Sequence, residues 1–371
     1  MMIEEEQKKP DISFVLPSFN ERNNILPLLD ELLELSDIYE LELIIIDDNS
    51  TDGTSTLVRE RAKKDRKIRL INRLGRSGLS SAIKEGCLNA TGETIAIMDT
   101  DGQHEVSAIK IAIQKLLENK LDLVVGSRFL NESSIQGLSQ KREGGSIIAN
   151  SFARFSLSKK YSHLTDLMSG CLVFKRQFCI SIIEQVDVNG FKFLYELLAI
   201  SKGSLKVNET PLSFQPRKHG TSKLDMAIVW DFLISLIHTS LRRTVPRKAI
   251  SFALVGATGV FVQLFTSYTL MTFSKIAFEQ ALPFAVVVAA SSNFLINNWL
   301  TFRSNRLRNK ALIVGLFKFL LVSSLPIFAN VGLATSFYSY ISQNTLFSQL
   351  AGIIVVFIWN YAASSRLVWN N

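Results

Sequence analysis

The segment DTDGQH places two carboxylates, Asp99 and Asp101, one residue apart, with the amide of Gln103 just beyond them. Carboxylate and amide oxygens at that spacing are hard ligands, suited to a Mg2+ or Mn2+ ion that bridges a diphosphate. A lone D-x-D is also ordinary turn chemistry after a strand, because Asp and Gly both favour turns. Two further clusters weigh against that plain explanation. DDNSTDGT begins with Asp47 and Asp48 at the end of an apolar run, and Asn20 and Glu21 follow the run ISFVLP.

Those clusters need elements to hold them. Short β-branched runs alternate with helical periodicity: strands at 12–17, 41–47, 68–72, 94–99 and 121–126, and helices near 22–36, 54–64, 78–90 and 106–119. Continuous apolar strands separated by helices imply an α/β domain with a mainly parallel sheet covered on both faces. Ligands bind such sheets outside the carboxyl ends of the strands, which is where the polar clusters gather. One crevice is expected.

Composition changes along the 371 residues. Up to about Arg247 charges are dense, whereas Ile250 to Phe302 holds only Lys275 and Glu279, and Ala311 to Ser365 only Lys318. Spans of roughly 20 apolar residues cross a bilayer. Four are expected, near 250–273, 281–302, 312–338 and 346–366. Basic residues flank one side: Arg242, Arg243, Arg247 and Lys248 before the first span, Arg303, Arg306, Arg308 and Lys310 in the middle loop, and Arg366 after the last. Both termini and the α/β domain are therefore expected on the cytoplasmic side. The first apolar run is a short strand ending at Pro17, so no secretory leader is expected.

The net charge of +8 does not point to nucleic acid. No basic helix with interleaved aromatics occurs, and the juxtamembrane clusters favour a bilayer with anionic lipid as partner. Cys87, Cys171 and Cys179 have neither paired nor zinc-like spacing and read as packing residues in a reducing compartment. Between the two halves, Asp231, Ser235, His238, Thr239 and Arg242 form a polar stripe opposite Met226, Val229, Trp230, Leu233, Ile237 and Leu241. That pattern suits an interfacial helix on the membrane, and also a helix packed on the α/β domain.

The strings VLPSFNERNN, IIIDDNSTDGT, GRSGLSSA, MDTDGQH, VVGSR, DLMSG, GFKF and FQPRKHGTSKL occur in an order that resembles dolichol-phosphate mannose synthases and their polyprenyl-phosphate glucose relatives. These are inverting family 2 glycosyltransferases of GT-A fold. FALVGATGVFVQ and NFLINNWLTFR are similar to the GtrA-like membrane domain often fused to them. The resemblance covers nearly the whole chain and implies a transferase domain over 1–222, an interfacial helix and linker over 223–247, and a four-helix membrane domain over 248–371.

The same resemblance implies roles. Pro17, Phe19, Glu21, Asp48 and Asp99 would hold the nucleotide, with Phe19 standing where relatives usually carry Tyr, so that stacking remains and a hydroxyl contact is lost. Asp101 and Gln103 would hold the metal. Arg128, Arg142, Ser146, Arg217 and Lys223 would meet the acceptor phosphate and the leaving group, with Asp101, Arg128 and Arg217 carrying catalysis. Asp166 and Ser169 would line the sugar side. KREGGSIIAN has a Gly-Gly where relatives are more helical. Glu196 and Lys192 fit either a site role or a pair four residues apart on a helix surface. The implied reaction moves one sugar from a nucleotide-sugar, GDP-mannose foremost, to a polyprenyl phosphate. A UDP-sugar donor for glucose or an aminosugar is the alternative, and His104 after Gln103 resembles the mannose enzymes. A processive synthase would carry QxxRW, which is absent. A non-enzymatic lipid-sugar translocator would not need an intact DTDGQH. Gln263, Asn293, Asn297, Asn298, Asn330 and Asn360 scatter over the spans, which favours packing over a transport path.

Overall fold

The computed structural model describes residues 9–75, 78–130, 140–188, 192–213, 215, 226–275, 277–340 and 345–369. The chain divides into two compact units, Met1–Ser240 and Leu241–Asn371.

In the first unit, strands β1 (Ile12–Ser18), β2 (Leu41–Asp47), β3 (Ile68–Asn72) and β4 (Thr94–Ile97) alternate with helices α1 (Ile25–Leu33), α2 (Thr54–Lys64) and α3 (Leu79–Asn89). Then come α4 (Val106–Glu118), β5 (Leu123–Ser127), α5 (Gln140–Ser156), β6 (Leu172–Lys175), α6 (Arg176–Glu184), α7 (Phe193–Ser201), β7 (Val207–Pro211) and α8 (Met226–Ser240). Among the described residues the strands form one sheet in the order β3-β2-β1-β4-β6-β5-β7. β1 and β2 are buried at every position, as expected of strands covered on both faces. Their side chains feed two apolar layers, one around Val15, Ile44 and Ile46, the other around Phe14, Leu16 and Leu43. Each fully buried aliphatic side chain of that kind contributes about 2 kcal/mol.

The parallel register pairs Ser18 with Asp47 and Asp47 with Asn72, so the ends of β1, β2 and β3 form one rim. The sheet departs from a purely parallel pattern at β6, which runs antiparallel to both β4 and β5 and lies between them. That insertion carries the DLMSG loop to the same rim as DTDGQH. The Gly-Gly at 144–145 does not interrupt α5.

Helix α8 belongs to the first unit and presents a face other than its periodicity suggested. Ser235 and His238, members of the expected polar stripe, are buried, and Phe232 packs edge-on against Tyr195 at 6.1 Å. Val229 and Leu233 are exposed instead. Ser235 tolerates this because its hydroxyl donates to the Asp231 carbonyl one turn back.

The second unit has four helices among the described residues: α9 (Arg247–Phe273), α10 (Phe278–Ile296), α11 (Asn309–Tyr340) and α12 (Thr345–Leu367). α10 runs on into a π-helical turn, Asn297–Thr301. Two stretches among the described residues are long and apolar enough to cross a bilayer, Arg247–Phe273 and Pro283–Thr301. The expected spans at 312–338 and 346–366 fall on α11 and α12, parts of which carry side chains outside the described residues. Phe261, Phe265, Phe284 and Phe317 point outward, a surface suited to lipid rather than water. Inside, Trp369 stacks on Phe302 at 4.1 Å and on Phe294 at 5.5 Å.

All three cysteines are buried and unpaired. Burial pushes the Cys171 and Cys179 thiols up to about 12, with Asp99 reinforcing the first and Asp122 the second, and it pushes Cys87 up as well. The thiolate is the reactive form, so these groups are inert in the folded chain. A thiol-exchange reagent at pH 8 should label none of them within minutes and all three after denaturation. Prompt labelling of the native protein would contradict this packing.

Candidate active site

The rim is built from backbone turns that the acidic residues themselves hold closed. Asp47 accepts from the Ser50 amide at 3.0 Å, from the Ser50 hydroxyl at 2.5 Å and from Ser55 at 2.8 Å. Asp52 likewise accepts from the Thr54 amide and the Arg22 amide. These two carboxylates are consumed by the turn. Asp48 is not: its carboxylate accepts from the Gly78 amide at 2.9 Å and pairs with Arg73 at 2.9 Å. Arg73, the residue after β3, also pairs with Glu85 at 3.1 Å, so a buried guanidinium sets the orientation of Asp48. Pro17 lies in β1 with its carbonyl accepting from Thr100, and Phe19 is half-buried just beyond the strand. Glu21 donates its amide to Thr54 and accepts from the Asn24 side chain at 2.7 Å.

The DTDGQH turn closes on itself. The Gln103 amide donates to Asp101 at 3.2 Å, and the Asp99 amide donates to His104 Nδ1 at 3.3 Å. Asp101 and Gln103 are 8% and 5% exposed, and the Gln103 side-chain nitrogen donates to the Gln215 carbonyl, which orients its amide. Two buried hard oxygen donors on a rigid turn fit Mg2+ or Mn2+, with phosphate and water completing the shell. Among the described residues no cluster of three or more His, Cys, Asp or Glu could hold a metal without such help.

Across the rim, Arg128 at the end of β5 grips Asp166 with two parallel bonds, Nε to Oδ2 at 2.7 Å and Nη2 to Oδ1 at 2.9 Å. The Arg128 amide adds a third bond to the same carboxylate. Burial works against the guanidinium charge, but Asp166 and then Asp99 outweigh it and hold the group above its usual range. Asp166 is placed in turn by Glu209 of β7, which accepts from the amides of Thr165 and Asp166 at 2.8 Å. Burial, assisted by Asp166, raises Glu209 despite those bonds. Ser169 donates to the Gly126 carbonyl and accepts from the Cys171 amide, so its hydroxyl ties the ends of β5 and β6 together.

Lys192 joins this group. Burial lowers its pKa, the Arg128 charge lowers it further, and Asp99 and Asp166 oppose them. The surface-pair explanation for GFKFLYELL therefore fails: Glu196 is 1% exposed, and the charges acting on Lys192 are those of the rim. Of the remaining expected residues, Ser146 lies half-buried on α5 and Arg142 on the same helix with its side chain outside the described residues. Arg217 and Lys223 lie outside the described residues.

Arg73, Glu209 and Gly170 emerge as parts of the rim only in the structure. Arg73 directly follows the run IRLIN, outside the acidic clusters, and Glu209 lies on a strand whose string VNETP lacks an apolar run. Gly170 needs the structure: a Cβ there would lie 2.6 Å from Asp99 Oδ2.

Residues 13–182 match the family described as glycosyl transferase family 2, and residues 251–369 match the GtrA/DPMS transmembrane domain. A dolichol-phosphate mannosyltransferase of Mycosarcoma maydis is 30% identical over 62% of this chain and 78% of its own length. The chain belongs to glycosyl transferase family 2. Another dolichol-phosphate mannosyltransferase, from Pyrococcus furiosus, is 27% identical over 96% of this chain and 99% of its own, so both halves align. A dolichyl-phosphate beta-glucosyltransferase of Trichomonas vaginalis is 28% identical over 53% and 64%. This family 2 member is accordingly a glycosyltransferase and a membrane protein, with a GT-A-like sheet followed by a helical domain.

Gly170→Ala tests the rim. The added methyl must displace Asp99, and a misplacement of about 1 Å in a transfer site can cost about 100-fold in rate. A drop of that order in kcat/KM with unchanged circular dichroism is expected; wild-type turnover would mean that the position of Asp99 is not used.

Proposed function

We propose that this glycosyltransferase moves one sugar, mannose from GDP-mannose, onto a polyprenyl phosphate at the cytoplasmic face of a membrane. The observation that carries this is the single rim on which Asp48, the Asp101–Gln103 pair and the Arg128–Asp166 pair converge. The rim thus offers a nucleotide end, a metal-competent end and a cationic end. Its joining to a GtrA/DPMS domain supports a lipid acceptor.

In this reading Asp48, held by Arg73 and Gly78, meets the nucleoside with Pro17, Phe19 and Glu21, and Asp99 seats its far side. Asp101 and Gln103 would hold Mg2+ or Mn2+, which when bound neutralises the departing diphosphate. An oxygen of the acceptor phosphate attacks the anomeric carbon in line while the bond from that carbon to the nucleoside diphosphate breaks. The product is a nucleoside diphosphate and, from an α-linked donor, a β-linked lipid phosphosugar. The acceptor is already ionised near neutral pH, so no side chain need remove a proton. Arg128, Arg142, Ser146, Arg217 and Lys223 hold the incoming phosphate against its repulsion by the donor. Two Arg128 nitrogens are engaged by Asp166, so Arg128 contributes from a fixed position, with Asp166 on the sugar side.

Four spans and cytoplasmic termini follow from the basic residues flanking α9, the middle loop and α12. The exposed apolar residues of α8, Val229 and Leu233, and of its neighbour α5, Ile147, Ile148, Phe152 and Phe155, support a membrane-facing side of the transferase domain. The domain limits 1–222, 223–247 and 248–371 belong to this proposal. Glucose from a UDP-sugar is the second reading, favoured by the Trichomonas vaginalis relative at 28% identity.

Membranes containing the protein, given labelled GDP-mannose, UDP-glucose and UDP-N-acetylglucosamine in turn, should pass label into the organic phase from GDP-mannose alone. Label from UDP-glucose alone would move the assignment to the second reading. Asp101→Asn should lose more than the about 10–100-fold that loss of a metal's outer partners typically costs, with nucleotide-free folding unchanged. Wild-type turnover with the same divalent-ion dependence would remove Asp101 from the metal.

A further inference from the structure

The second unit contains a cavity of about 490 Å3 lined by none of the residues assigned above to the transfer site. It lies where α10 gives way to α11. Its lining includes the apolar Leu295, Trp299 and Leu312, the buried Asn298, and two cations, Arg306 and Arg308.

Asn298 is buried in the π-helical turn, its Nδ2 donating to the Leu307 carbonyl at 3.1 Å and its Oδ1 accepting from the Leu307 amide at 2.8 Å and from Trp369 Nε1 at 3.1 Å. Leu307 is thereby fastened through both its backbone groups, and the residues on either side of it are the two arginines. Asn305 donates to the Trp369 carbonyl and closes the same loop. Thr301 donates to Asn297 and shares a hydrogen bond with Ser251, which supplies the extra polar contacts a π-turn needs. Such turns concentrate at functional sites.

Both guanidinium groups are exposed, and among the described residues neither forms an ion pair. No carboxylate lines the cavity. An ion pair among the described residues is therefore not what holds them there. The same cavity has apolar lining and an indole, Trp299, 46% exposed, near the end of a membrane-length helix. Two arginines match a phosphate bidentately, an apolar wall matches a hydrocarbon chain, and an indole settles at the headgroup level between them.

We propose that this cavity binds a lipid through its phosphate, with Arg306 and Arg308 on the phosphate and the chain along Leu295, Trp299 and Leu312. Basic pockets between membrane helices hold anionic headgroups by the same chemistry. Two lipids offer it, a prenyl phosphate and an anionic glycerophospholipid. The inference needs the second unit to be membrane-embedded and does not depend on which sugar is transferred.

The full-length protein, purified in detergent and stripped of lipid, is titrated with phosphatidylglycerol, phosphatidylcholine or a short prenyl phosphate and read by native mass spectrometry. Retention of phosphatidylglycerol or prenyl phosphate over phosphatidylcholine by at least about tenfold is expected, because the choline cation of phosphatidylcholine is repelled by the two arginines that its phosphate would approach. The tighter of the two identifies the resident lipid. Arg306→Gln with Arg308→Gln should abolish the preference in a protein that still elutes as a single species and binds nucleotide. Lys310→Gln, a neighbouring exposed cation outside the lining, should keep it. Equal retention by the double variant, equal loss in Lys310→Gln, or displacement of the lipid by millimolar inorganic phosphate would each overturn the proposal.

Discussion

The two-bonded contact between Arg128 and Asp166 is the constraint on which the rest of the transferase rim depends. It joins the end of β5 to the loop that leads into β6, and both partners are largely withdrawn from water. A buried pair of this sort is stable only while each charge keeps its partner and its remaining hydrogen bonds. Here those bonds exist: Glu209 takes the Thr165 and Asp166 amides, the Met168 amide donates to Asp166, and Ser169 closes onto Gly126. The antiparallel insertion of β6 is what makes this possible, because a parallel strand would deliver its preceding loop to the opposite edge of the sheet. With Lys192 drawn into the same field, two cations face two carboxylates, Asp99 and Asp166. A metal on the Asp101 turn would add positive charge to this field.

How much of this could be read from the sequence depends on the kind of residue. The runs LELIIID and IRLIN gave strands whose limits match the observed β2 and β3: β2 is buried at every position and reads as a near-continuous apolar run, whereas β3, buried only at Ile68, reads as a short isoleucine- and leucine-bearing run between polar neighbours. Polar residues directly after such runs were equally legible, so Asp48, Asp99 and Asp101 were found. LVFK and VNETP were not, since a three-residue apolar run is too short to separate strand from helix and VNETP has no apolar run at all. That omission hid the antiparallel strand, and with it the contact of Gly170 with Asp99 and the support that Glu209 gives Asp166.

Helix α8 shows a different limit. Periodicity separates two faces but does not state which one the fold covers. Ser235 satisfies its hydroxyl within its own helix, so that part of a face that looked polar could be buried, and Val229 and Leu233 were left outside. The alternatives of packing on the domain and lying on a membrane were therefore never exclusive. One face does the first and leaves the other available for the second.

His104 carries the last step. It is buried beside Asp99, and its position after the acidic turn invites a role as general base. Its Nδ1 accepts the Asp99 amide, which places the ring proton on Nε2, 3.9 Å from the Asp99 carboxylate. A nitrogen occupied by a backbone donor cannot collect a proton from a substrate, and the other nitrogen already carries one. His104 thus holds the turn in shape and keeps Asp99 oriented. A sugar hydroxyl acceptor would need a base at this rim, and His104 does not supply one. An acceptor that arrives ionised, such as a phosphate, has no such requirement, and that agreement between the committed histidine and the chemistry of a phosphate acceptor links the rim to the membrane half of the chain.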